Sequence, residues 1–221
     1  MISISVYSPD QGKEENKASL GKAARCSWYP DLPDPTFQIL ELEDEHLDPR
    51  HILPYSACMF GGKDGELLPY LTEIIVWIQP LRLPQVSTYC SEEVPRVCAV
   101  EFHYSSSEKG DIQSMLLGRV PELDCQRYQI SIDGPNGERI DGVKAKYEKS
   151  HSPSGFVVTG FTFQTSHGRS LHAPEEGVGR ILRNVETYYP TQGIPIGFFA
   201  ALSHHDGFQN TGLLCIPYEA L

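Results

Sequence analysis

From about residue 58 onward, apolar and polar residues alternate in short runs divided by turn signals, the pattern of β-strands with one buried face. Leu71–Ile78 is one such run. In Val97–Tyr104, the side chains of Cys98, Val100, Phe102 and Tyr104 share a face, opposite Ala99, Glu101 and His103. Gln129–Asp133 and Arg139–Tyr147 flank Pro135-Asn136-Gly137-Glu138. An Asn-Gly pair at such a place predicts a hairpin, because the two-residue hairpin turn needs positive φ at both central positions. In Phe156–Arg169, Phe161 and Phe163 alternate with Thr162 and Gln164, and the run ends in Ser166-His167-Gly168-Arg169.

Three segments are alike: Ala99–Phe102, Gly160–Phe163 and Gly197–Ala200. Each opens on a small residue followed by an apolar one, with another apolar or small residue two positions on. A strand-like run precedes each, at Leu71–Ile78, Arg139–Tyr147 and Arg180–Tyr189. The body therefore reads as three weakly similar sheet units. A threefold all-β chain protects its strand edges by radial packing or closure, with the apolar faces meeting on a common axis. Residues 1–57 differ: they are polar, then proline-punctuated from Tyr29 to Pro35, then acidic from Glu41 to Glu45. Only Thr36–Leu42 alternates like a strand. This part reads as an extension that lends one strand to the body at 58–221 or wraps it, and the acidic run as a solvated loop.

The length of 221 residues suits one sizeable domain with an extension. With 19 Gly, 17 Pro and a mean hydropathy of -0.30, turns outnumber long helices, and 11 Tyr and 9 Phe suit sheets. A formal net charge of -11 repels phosphate backbones and anionic lipid, which sets nucleic-acid and membrane partners aside. The first residues lack a basic stretch followed by an apolar core, so a cytoplasmic location is expected, with secretion left open for a processed chain. The six cysteines, Cys26, Cys58, Cys90, Cys98, Cys125 and Cys215, form no CxxC pair. They read as free thiols, with Cys98 and Cys215 as small core residues.

The ordered motifs resemble the jacalin-related lectins, whose fold is a β-prism of three four-stranded Greek-key sheets. Phe60-Gly61-Gly62-Lys63-Asp64-Gly65-Glu66 and the following Leu71–Val76 are similar to the family's first glycine loop and strand. Val97–Tyr104, Gly160–Arg169, Gly193–Phe199 and Asp206–Leu213 match later segments in order, and the spellings are closer to jacalin-like domains of fungal proteins than to the plant lectins. The resemblance implies an all-β prism over 58–221, with Ser166–Arg169 as a tight turn. Gly168 would supply its permissive backbone, and Arg169 would cap or pair at the surface.

The resemblance also implies a sugar site built from the first glycine loop and the last loop. Its candidate residues are Gly61, Gly62, His204, His205, Asp206, Phe208 and Gln209. The glycines would let a ligand touch the backbone. Where the family places its acceptor carboxylate, this chain has Gln209, an amide without charge assistance, and Asp206 is the nearest carboxylate. Phe208 would stack on a sugar or pack. Adjacent strand residues face opposite sides, so His204 and His205 do not suit one metal ion, and no metal or cofactor is expected. One imidazole, here or at His103 beside Glu101, suits proton transfer. Two functions follow as expectations. The first is a lectin-like protein binding a carbohydrate or other small molecule at the loop end. The second is a cofactor-free enzyme of fungal secondary metabolism, of cyclisation or cycloaddition type, with a small hydrophobic substrate in an aromatic-lined pocket. A protein-interaction module is a third, and self-association is left open.

Overall fold

A computed structural model describes residues 28–29, 37–41, 55–81, 94–105, 114–121, 125–149, 156–174, 184–188, 193–203 and 207–218. Thirteen strands run through them: β1 (Trp28–Tyr29), β2 (Gln38–Glu41), β3 (Tyr55–Cys58), β4 (Leu71–Leu81), β5 (Val94–Tyr104), β6 (Ser114–Gly118), β7 (Gln126–Ser131), β8 (Ile140–Lys149), β9 (Phe156–Thr165), β10 (Ser170–Ala173), β11 (Asn184–Tyr188), β12 (Ile194–Ser203) and β13 (Gly207–Ile216). They form three sheets, ordered β6-β5-β4-β7, β10-β9-β8-β11 and β1-β3-β12-β13-β2. In the first two, three consecutive antiparallel strands are followed by a fourth that returns beside the first, which is a Greek key. The third sheet has the same order across β3-β12-β13-β2, with both chain ends falling between β13 and β2, and β1 is added in parallel on β3. The chain is thus a three-sided, jacalin-like β-prism. Residues before position 58 supply β1, β2 and almost all of β3.

The three inner faces meet as predicted. Val100 and Phe102, Phe161 and Phe163, and Phe198 and Ala200 are all fully buried in one core. Phe161 sits where the sheets converge, with its ring 5.2 Å from Phe198, 5.9 Å from Phe163 and 6.4 Å from Phe208. Phe60 stacks on Phe102 at 4.6 Å. The buried hydroxyls of Tyr147 and Thr211 lie 3.0 Å apart and join two of the sheets.

The sheet containing β12 is buried on its other face as well. Phe199, Ala201, Leu214 and Tyr55 form a second cluster, with Tyr55 edge-on to Phe199 at 5.3 Å. A strand covered on both faces reads as a near-continuous apolar run, which is why Gly197–Leu202 barely alternates.

Three sequence expectations are corrected. Asn136-Gly137 does not close a hairpin: β7 pairs with β4 and β8 with β9, so the segment between them crosses from one sheet to another through a 3₁₀ turn at Gly134–Asn136. The third unit divides elsewhere: Asn184–Tyr188 is an edge strand on β8, and Gly197–Ala200 belongs to a strand equivalent to β4 and β8. Residues 180–183 lie outside the described residues. Cys98 is not in the core, because a bulge at the pairs Ile78–Val97 and Trp77–Ala99 shifts the alternation. Val97 is buried in its place, and the half-buried Cys98 thiol reaches Gln79 Oε1 at 3.8 Å. Cys215 is a core residue, as expected, and the four described cysteines (Cys58, Cys98, Cys125, Cys215) are free.

Candidate functional site

The glycine loop, 59–70, leads from β3 into β4 and shares its end with turns 132–139 and 166–169. It is held on the start of β12: the Gly61 N–H donates to the Ile196 carbonyl at 2.7 Å, Gly62 N–H to Met59 O at 2.9 Å, and Leu67 N–H to Gly61 O at 2.9 Å. Tyr104 hydroxyl donates to Phe60 O at 2.7 Å. Gly61 must be glycine because a Cβ would stand 2.9 Å from the Ile196 backbone. Gly62 has φ +77, and a Cβ there would collide with the Glu66 carboxylate. Both glycines are buried. Their N–H groups are spent and their backbone is covered, so the loop's solvent-facing chemistry lies in Lys63, Asp64 and Glu66, all exposed.

The β12–β13 hairpin lies at the opposite end. Gly61 meets Ile196 near the start of β12, whereas Gly207 pairs with Ser203 at its finish, roughly 20 Å away at ~3.3 Å per residue. The structure therefore does not bring Gly61 and Gly62 together with Phe208 and Gln209. Phe208 is fully buried and packs beside Phe161, so it has no ring face to offer a sugar. Gln209 is half-buried on β13. His204, His205 and Asp206 lie outside the described residues. His103 Nε2 is 3.0 Å from Glu101 Oε1 on the outer face of the β4–β7 sheet.

The Ser-His-Gly-Arg turn joins two connections at the glycine-loop end. Gly168 takes φ +75. Arg169 Nε donates to Glu138 Oε1 at 2.7 Å, and the same guanidinium reaches Glu138 Oε2 and the Ser131 carbonyl. Glu138 is buried and also accepts the Asp133 N–H at 2.8 Å. The Arg169 guanidinium, aided by the Asp133 N–H and against the cost of burial, holds the Glu138 carboxyl down at about 2. Arg169 thus pairs, as its expected surface role implied.

Glu66 escaped the sequence reading, although a signal was present. Gly62-Lys63-Asp64-Gly65-Glu66 and Gly134-Pro135-Asn136-Gly137-Glu138 repeat a G-x-x-G-E spacing. Among the described residues no group of three or more His, Cys, Asp and Glu side chains is placed to hold a metal ion. No helix among them is long and apolar enough to cross a membrane.

No family model matches the sequence, and no curated protein matches it significantly. Solved structures similar to it include a prostate-specific WGA16 glycoprotein lectin, at 15% identity over 74% of this chain and 91% of that one, with a TM-score of 0.46. A mannose-binding lectin from champedak matches at 14% over 66% and 82%, with a TM-score of 0.44. AcmJRL, a mannose-binding jacalin related lectin from Ananas comosus, matches at 12% over 84% and 94%, with a TM-score of 0.42. Likenesses at this level carry no argument, and the prism stands on the strand pairing.

Proposed function

We propose that this chain is a lectin-like ligand-binding protein that takes a carbohydrate or another small polar molecule at the glycine-loop end of the prism. The observation that supports it is the fixed loop itself. Three backbone hydrogen bonds seat residues 59–67 on β12 and on one another, and the loop then presents Lys63, Asp64 and Glu66 to solvent. A rigid rim of donors and acceptors suits a polyhydroxylated ligand, because little freedom is lost when it binds. The site differs from the one expected from the resemblance in having no contribution from Phe208 or Gln209.

The enzyme reading finds no observation in its favour among the described residues. It asks for an aromatic-lined pocket, whereas Phe60, Phe102, Phe161, Phe163, Phe198, Phe199 and Phe208 are all buried in the cores. The test is a glycan array followed by calorimetry and an amide NMR titration on the full chain. Saccharide binding that perturbs the amides of residues 59–67 supports the proposal. Absence of any saccharide binding, or binding that perturbs only the opposite end, overturns it.

A further inference from the structure

We propose that the outer face of the β4–β7 sheet holds a binding site for a small organic carboxylate, built on Arg96 and Trp77. Ile74, Val76 and Ile78 of β4 and Val97 and Val100 of β5 fill the core. The alternation therefore turns Trp77 and Gln79 outward, and Arg96, which pairs with Gln79, turns the same way. Trp77 pairs with Ala99, across the bulge at Cys98, so Trp77 and Arg96 are diagonal neighbours. Side chains as long as these reach one another across such a diagonal. Two N–H groups of this patch are buried without an acceptor: the indole Nε1 of Trp77 and the guanidinium Nε of Arg96. A buried donor left unpaired carries the full cost of its lost hydration. Two of them on neighbouring side chains mark a place that lacks acceptor atoms.

Arg96 is held in place without being satisfied. Its Nη2 donates to Gln79 Oε1 at 2.8 Å, the oxygen that Cys98 Sγ also approaches at 3.8 Å. Its stem lies against Gly207, where a Cβ would stand 3.6 Å from Arg96 Cδ. Among the described residues the partner of its charge is thus a neutral amide. The two carboxylates of these four strands are engaged elsewhere, Glu73 at 3.4 Å from Arg127 and Glu101 at 3.0 Å from His103. A ligand carboxylate supplies what the patch lacks: negative charge, and two oxygens to divide between the guanidinium fork and the indole N–H. Trp77 and Arg96 are half-buried, so rotation of either side chain admits those oxygens, and the indole offers an apolar surface to the body of the ligand. A chain of net charge -11 repels a polyanion more than a monoanion, which favours a monocarboxylate over a phosphate or a sulfated chain. Gln79 stands roughly 25 Å along β4 from Leu71 at ~3.3 Å per residue, so the patch is distinct from the glycine-loop site and independent of the lectin reading.

The test is an NMR titration of the backbone amides and indole N–H groups of the full chain with benzoate, with benzamide as the neutral control, repeated on Arg96→Gln and Arg96→Lys. Benzoate is expected to move the indole N–H signal of Trp77, one of two tryptophans in the chain, together with the amides of residues 77–79 and 96–99, and to leave those of 59–67 in place. Benzamide should bind at least tenfold more weakly, and so should benzoate to Arg96→Gln, because the charge-assisted bonds are lost. Arg96→Lys keeps the charge without the fork and should fall between parent and Arg96→Gln. The contrast of benzoate with benzamide is read on the parent chain, so it decides the matter even where a variant fails to fold. A Trp77 indole signal that tens of millimolar benzoate does not move overturns the proposal, as does benzamide binding as tightly as benzoate. Magnetisation transfer from a bound water to the Trp77 indole that benzoate leaves unchanged also overturns it, because an ordered water is then the acceptor.

Discussion

Replacing Arg169 by methionine should destabilise the prism by about 2 kcal/mol at neutral pH, and that cost should vanish in acid. The change strips the guanidinium from Glu138 while keeping a side chain of similar length. What remains is a carboxylate with almost no exposure, holding the Asp133 N–H but without its counter-charge. Removing one partner of a fully buried pair costs roughly 3–5 kcal/mol. Arg169 is 44% exposed, so water already screens the pair from one side and the lower figure of about 2 kcal/mol is appropriate. For a chain of this length that is a drop in Tm of roughly 4–8 °C. The sign of the pH dependence follows from Glu138. Its carboxyl is held at about 2 in the folded chain against an ordinary 4.5. A depressed carboxyl stabilises the fold fully above its unfolded value and loses that contribution as pH falls through its folded value. The difference between parent and variant should therefore be flat above about pH 5 and shrink from there toward pH 2. Urea unfolding across this range measures it, and Glu138→Gln with the double variant gives the coupling between the two groups. A cost below about 0.5 kcal/mol at neutral pH, the scatter of ordinary surface changes, would refute the reasoning. So would a cost that persists undiminished at the acid end.

Phe161→Ala removes the ring at the meeting point of the three sheets and should cost about 3–5 kcal/mol, read as a lowered urea midpoint; a loss under about 1 kcal/mol would mean the sheets do not converge there. Burial pushes the thiols of Cys58 and Cys215 up to about 12, so neither should be alkylated by iodoacetamide in the native chain at mildly alkaline pH, and both should react once it is unfolded; peptide mass mapping reads the sites, and native labelling of either would contradict the packing. Asp206→Ala should leave ligand binding at the glycine-loop end unchanged, because the neighbouring Gly207 stands at the far end of β12; a tenfold loss measured by calorimetry would return the site to the hairpin.

The inner faces of the strands were legible because burial leaves a period of two in the sequence, and Val100, Phe102, Phe161, Phe163 and Phe198 all lie where that period puts them. Where the period broke, the reading broke with it. The bulge beside Cys98 exchanged it for Val97, and double-sided burial around Phe199 erased the alternation altogether. Sheet membership was hidden for a different reason. Asn136-Gly137 specifies a local backbone reversal, and Gly137 is indeed left-handed, but positive φ serves a crossover as well as it serves a hairpin. Only the partner strand decides between them, and the partner lies outside the local sequence.

The expected site failed on the same point. Gly61-Gly62 and the 204–209 loop were joined by the resemblance, not by any property of the residues. Which end of a strand a loop occupies depends on the direction of its neighbour. Cys58 pairs with Phe198 and Tyr55 with Ala201, so β3 delivers the glycine loop to the beginning of β12 rather than its end. There it joins the crossover that ends in Glu138 and the turn that carries Arg169. Arg169 binds both Glu138 and the Ser131 carbonyl, so one guanidinium ties the turn after β9 to the crossover that leaves β7, and this end of the prism is fixed by charge as well as by strand pairing.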